Sequence, residues 1–96
     1  MSYFSKKDYK FVKFQKSNIK GKKYSAILQN KKTKRFKKLD FGASDYEHYR
    51  DTTGLGLWSH KNHNDKQRRK NYRARHNVHI KDGYYSPSYF SMYFLW

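Results

Sequence analysis

The stretch "KKYSAILQNKKTKRFKKLDFG", residues 22–42, decides the fold. In an extended chain, side chains alternate between two faces. Tyr24, Ala26 and Leu28 then share one face, with Ser25, Ile27 and Gln29 on the other. The polar "NKKTK" interrupts this pattern and "RFKKLDFG" resumes it. Together they predict a β-hairpin turning near Asn30–Lys34, with Gly42 ending its second strand. Upstream, "YKFVKFQKSNIK" sets Phe11, Lys13 and Gln15 against Val12, Phe14 and Lys16. Both faces are mixed, so this segment reads as the third strand of a meander or as an arm that orders on binding. Residues 1–21 are read as a basic, aromatic and flexible arm, and residues 22–96 as one small domain.

Downstream, "ASDYEHYRD" offers a helix start, because Ser44 and Glu47 have capping-box spacing and Asp45 suits the first turn. Tyr46 and Tyr49 would share a face of that helix. The glycine-punctuated "TTGLGLWSH" is expected to carry Leu55, Leu57 and Trp58 towards a core. Asn64 or Asp65 can cap a second helix running to about His76, whose apolar content is only Tyr72 and Ala74. "NVHIKDGYY" then reads as a loop with a turn at Asp82-Gly83, and Ser86-Pro87 opens a last helix, "SYFSMYFLW", apolar almost all round. That helix either closes the core or docks on another chain. The expected architecture is α+β: a β-hairpin or three-strand meander packed with two or three short helices. No internal repeat or inter-domain linker is visible.

Charge dominates the composition. Lys and Arg number 23 against 7 Asp and Glu, a formal net charge of +16 in 96 residues. Such a charge opposes compaction and favours a polyanionic partner. Aromatic residues make up 20% of the chain, which argues against disorder throughout. The cations are segregated: fourteen lie in residues 1–41, eight in 61–81, and Arg50 stands alone between them. Cysteine is absent, so no disulfide or thiolate ligand is available. The start of the chain lacks the apolar run of a signal peptide, so secretion by that route is not expected. The apolar "YFSMYFLW" falls far short of the ~20 residues a membrane-spanning helix needs.

Four of the five histidines lie in "SHKNHNDKQRRKNYRARHNVH", residues 59–79, paired as His60/His63 and His76/His79. The outline resembles a zinc site, but structural zinc sites nearly always include thiolates, and the residues between the pairs are strongly cationic. No metal or other cofactor is expected. "HKNHND" superficially echoes the histidine–asparagine–histidine nucleases. No carboxylate pair suited to a two-metal site accompanies it, and no phosphate-cradling loop beyond a weak "GLG". The stronger signal is the basic helix. There Arg69, Tyr72, Arg73 and His76 fall at i, i+3, i+4 and i+7, while Lys66, Arg68, Lys70 and Arg75 spread around it. Arginine forks bind phosphate oxygens, and tyrosine can stack on bases.

The order "FGASDYEHYRDTTGLG", "RRKNYRARH", "DGYYSPSYFSMYFLW" resembles a family of small basic proteins of giant and other large double-stranded DNA viruses and of some bacteriophages. The matching positions are Phe41, Gly42, Tyr46, Tyr49, Arg69, Tyr72, Arg75, His76, Ser88, Phe90, Ser91, Leu95 and Trp96, within residues 22–96. The resemblance implies a viral origin and packaging with genome or capsid, in the virion or the infected cell's cytoplasm or nucleus. It implies no chemistry.

The leading expectation is therefore non-enzymatic, sequence-independent nucleic-acid binding, with DNA as the expected partner. Lys31, Lys32, Lys34, Arg35, Lys37 and Lys38 of the hairpin and Lys66, Arg68, Arg69, Lys70, Arg73 and Arg75 of the helix would neutralise phosphates, supplemented by Tyr72 and His76. The alternatives are a minor capsid or cementing protein that meets acidic protein or membrane surfaces, and, third, a metal-dependent nuclease.

Overall fold

The hairpin forms as its alternation requires. The computed structural model describes residues 3–96, so Met1 and Ser2, the start of the expected arm, lie outside the described residues. Strands β1 (Phe4–Ser5), β2 (Tyr9–Lys16), β3 (Lys22–Asn30) and β4 (Phe36–Ala43) come first. Helix α1 (Lys66–His76), strand β5 (Tyr84–Tyr85) and helix α2 (Pro87–Phe94) follow, an α+β arrangement. The main sheet is antiparallel in the order β2-β3-β4, and β1 pairs with β5 in a second, two-stranded sheet. In the main sheet Tyr24 lies opposite Phe41 and Ala26 opposite Leu39, and all four are buried.

Of the two readings of residues 9–16, the strand is the one that forms. Its mixed faces are reconciled by a β-bulge: Phe11 pairs with Leu28, but the next pairing is Lys13 with Ile27. One extra residue at Val12 restores the phase, so Phe11 and Phe14, three apart, both pack on the core.

Helix α2 closes that core. The Ser86 hydroxyl accepts from the Tyr89 N–H at 3.1 Å, and Pro87 fits the first turn. Phe90, Met92 and Leu95 are buried, and the Phe90 ring lies 5.6–5.8 Å from Phe11, Phe14 and Phe41. Burying one such ring contributes about 1.5–3 kcal/mol. Of the two readings of this segment, the core-closing one holds, and Tyr93, 52% exposed, is the large side chain it leaves outside. Gly42 makes the closure possible. Its φ is +78°, and a Cβ there would meet Leu95 Cδ1 at 2.8 Å.

Three local expectations fail. Ser44–Asp51 is not a helix despite its capping-box spacing. Its backbone turns outward to residues 61–63: the His48 N–H donates to the Lys61 carbonyl at 3.1 Å, and the His63 N–H to the His48 carbonyl at 2.9 Å. His48 is fully buried, whereas Tyr46 is 71% exposed, so the face expected to join Tyr46 and Tyr49 does not exist. Leu55 and Leu57 stay 42% and 49% exposed, and only Trp58 of that turn packs on the core. Tyr84–Tyr85, expected as loop, pairs with β1. Among the described residues no helix is long and apolar enough to cross a membrane.

Candidate nucleic-acid interface

Helix α1 starts where an Asp65 carboxylate oxygen accepts the N–H groups of Gln67 and Arg68 at 3.0 and 3.2 Å. Arg69, Tyr72, Arg73 and His76 do share a face, but that face is turned inward. The Tyr72 ring lies between Trp96 (centroids 4.1 Å apart, planes at 4°) and His76 (4.2 Å, 24°), so neither of its faces is free for a base. Its hydroxyl shares a hydrogen bond with Ser91 Oγ at 3.0 Å, and burial pushes the phenol above its ordinary pKa. Arg69 Nε and Arg73 Nη2 each donate to the main-chain oxygen of Trp96 at 3.0 Å, and the Arg69 guanidinium also lies 4.8 Å over Tyr49. These side chains fasten residue 96 to the domain.

That placement separates stability from binding. Arg69→Ala and Arg73→Ala should each lower unfolding free energy by about 1–3 kcal/mol, because each removes a charge-assisted bond from a partly buried oxygen. Arg75→Ala, on the exposed side, should stay within about 0.5 kcal/mol of the parent. Urea denaturation of the three variants reads the difference directly.

Lys66, Arg68, Lys70 and Arg75 remain exposed. Arg68 and Arg75 rim a groove of about 640 Å³, shared with Tyr46, Glu47, His76 and Trp96 and reaching Lys23 and Gly42. Gly42, Tyr72, Arg75, His76, Leu95 and Trp96 converge there.

The hairpin presents its cations differently. Residues 31–38 are all exposed. The turn is fixed by Asn30, whose side-chain oxygen accepts the Lys32 and Thr33 N–H groups at 2.9 Å. Lys31 Nζ donates to the Lys6 carbonyl at 3.0 Å and Lys38 Nζ to Asn18 Oδ1 at 2.7 Å. The β2 pairing sets two more cations, outside the expected set, beside the hairpin. Lys10 and Lys13 are exposed, and Lys13 sits opposite Ile27, itself opposite Lys38, across the sheet. The bulge is the signal that would have placed them. The α1 groove sits at the Gly42 end of β4 and the lysine turn precedes its Phe36 end. The length of β4 puts the lysine turn roughly 24 Å from the groove, with Lys37 and Lys38 between them.

Beneath the groove lies a buried polar chain. Lys23, 2% exposed, donates through Nζ to the Tyr46 carbonyl at 2.6 Å and to His48 Nδ1 at 2.9 Å. His48 Nε2 then carries the proton and donates to Asn62 Oδ1 at 2.7 Å, which also accepts the Asp51 N–H at 2.9 Å. Asp51 accepts from the Tyr24 hydroxyl and, at 2.6 Å, from Thr53 Oγ1. Burial, then the neighbouring Lys61 charge, pushes Lys23 down to about 8, with Asp51 opposing. The remaining histidines are dispersed: His60 stacks on Trp58, His63 packs on Trp96, and His79 lies 5.8 Å from His76. Among the described residues no three His, Cys, Asp or Glu side chains gather as a metal ion needs.

No family model matches the chain, and no curated protein or solved structure matches it.

Proposed function

We propose that the protein binds nucleic acid without reading its sequence and without catalysing a reaction. The contacts are the hairpin cations Lys31, Lys32, Lys34, Arg35, Lys37 and Lys38, joined by Lys10 and Lys13, together with the outward Lys66, Arg68, Lys70 and Arg75 of α1. Viral origin and packaging with the genome belong to the same proposal and rest on the sequence resemblance.

The observation that carries the reading is how little of the charge is neutralised within the chain. Against 23 Lys and Arg, the described residues hold two ion pairs, Lys38–Asp40 at 4.0 Å and Arg68–Glu47 at 3.2 Å. Three of the seven acids accept hydrogen bonds from uncharged groups. Asp40 is buried enough to raise its pKa, but hydrogen bonds from Ser17 and Ser25 outweigh that and hold it below the ordinary range. Asp51 serves Tyr24 and Thr53, and Asp65 caps α1. An exposed cationic surface lacking internal counter-charge recruits external phosphate, with release of condensed counterions.

The double variant Lys32→Ala/Lys34→Ala tests it. Both side chains are exposed, so the fold should be unaffected. Affinity for duplexes of unrelated sequence should fall alike, and the salt dependence should lose about two units of slope. Unchanged affinity in the double variant would remove the hairpin from the interface.

A further inference from the structure

The groove beside α1 has a composition that simple phosphate neutralisation does not require. Arg68 and Arg75 are seven residues apart on the helix, about 10 Å along its axis and within about 20° of the same side. Glu47 is the single carboxylate lining the groove, and Arg68 already holds it at 3.2 Å. Arg75 forms no ion pair among the described residues. One part of the wall is the His76–Tyr72–Trp96 stack, filled by its own members. Another is Tyr46, a residue 71% exposed whose ring has no aromatic neighbour among the described residues. Its backbone is fixed from beneath, where the Lys23 ammonium donates to the Tyr46 carbonyl at 2.6 Å. Cations, one displaceable carboxylate and an open aromatic ring in about 640 Å³ suit a ligand that is both anionic and planar.

We propose that this groove holds one unpaired nucleotide, its phosphate between Arg68 and Arg75 and its base on the ring of Tyr46. The inference rests on the nucleic-acid reading for its polymer form and narrows that reading to an unpaired residue, because a stacked, paired base offers no free face. The phosphate displaces Glu47 from Arg68. Lys23 stays on its two protein acceptors and contributes positive potential from the floor. The same chemistry is presented by a free mononucleotide and by a nucleotide within a single strand.

The test uses the full chain and three probes, adenosine 5′-monophosphate, adenosine and inorganic phosphate. The NMR signals of the Trp96 indole N–H and the Arg75 Nε–H are followed. The monophosphate should shift both saturably, and each half-ligand should bind at least about tenfold more weakly. Tyr46→Ala and Arg75→Ala should each weaken the monophosphate about tenfold, and Glu47→Gln should tighten it. Lys20→Ala, an exposed charge in the β2–β3 loop, should leave the titration unchanged. A 12-nucleotide single strand, measured by anisotropy, separates the sources. Tighter binding than the monophosphate, weakened by Arg75→Ala, assigns the polymer, and equal binding assigns the free nucleotide. The proposal is overturned if the monophosphate moves neither signal at about 10 mM, or if the Trp96 signal titrates with unchanged affinity in Tyr46→Ala and Arg75→Ala. Strand binding that persists in that case leaves the hairpin interface standing. A groove that titrates while no strand binds removes the polymer and keeps the site.

Discussion

Between about 50 and 200 mM monovalent salt, binding to a random-sequence duplex should weaken roughly a thousandfold. Each neutralised phosphate lowers the slope of log affinity against log salt by about 0.9, so about six contacts give a slope near −5. Fourfold more salt is about 0.6 of a decade, hence the thousandfold loss. Six is a restrained number for this surface. Arg69 and Arg73 are excluded, since both are committed to the Trp96 oxygen. The exposed cations of the turn and of β2 suffice without them. The lysine turn and the α1 groove are also roughly 24 Å apart, about seven base-pair steps of B-form duplex, with Lys37 and Lys38 between them. A duplex much shorter than that cannot reach both ends, and its slope should be shallower. Anisotropy titrations of 5- and 12-base-pair duplexes at four salt concentrations measure both effects. A slope shallower than about −2 for the longer duplex would sink the electrostatic reading.

The parts of this fold that could be read from sequence are those whose causes lie within a few residues of each other. Alternation in Tyr24, Ala26 and Leu28 placed β3, and the polar turn near Asn30–Lys34 paired it with the next strand. Asp65 and Ser86-Pro87 announced both helices, because a cap acts on N–H groups two or three residues away. The failures involve partners far along the chain. Ser44 and Glu47 have the local pattern of a helix start, yet His48 is drawn inside by Lys23, 25 residues earlier, and Asn62, 14 residues later. No local propensity encodes that. The same limit applies to the candidate site. An i, i+3, i+4, i+7 face of Arg69, Tyr72, Arg73 and His76 looks like a ligand surface until Trp96 occupies it. A helix with only Tyr72 and Ala74 as apolar residues still has to face the domain somewhere. It does so with its aromatic and its arginine stems, which bury carbon while their heads reach an oxygen. The cations that can serve a ligand are therefore those off that face.

Acidification from pH 7 to 4 should cost the fold on the order of 3 kcal/mol through His48, and raising the pH from 8 to about 10 should add a similar amount through Lys23. His48 is fully buried, and burial first, then the Lys23 charge, pushes its pKa from 6.5 down to about 4, with the Asn62 hydrogen bond opposing. Between those values only the unfolded chain binds the proton, so stability falls as pH drops through that window. Lys23 has the same sign at the other end. Its folded pKa is about 8 against 10.5 unfolded, so between the two only the unfolded chain is protonated. Stability then rises with pH. Self-repulsion of the +16 chain eases over the same range and adds to the trend. Tyr24 sets the upper limit. Burial and the Asp51 hydrogen bond push its phenol up to about 12, so above pH 10 the unfolded chain ionises first and stability declines. The stability maximum should therefore lie near pH 10, well above the usual neutral optimum. Urea denaturation at pH 4, 7, 8 and 10 measures the profile. Lys23→Met should remove most of the rise between pH 8 and 10, because methionine fills a similar volume without a proton to titrate, and should make the acid limb shallower, because the Lys23 charge helps hold the His48 pKa down. Its penalty is the Tyr46 carbonyl and His48 Nδ1 left without their donor, an offset that is constant from pH 8 to 10, where His48 is neutral. A parent profile flat from pH 8 to 10 would mean that the Lys23 ammonium is fully hydrated in solution, contrary to its 2% exposure here.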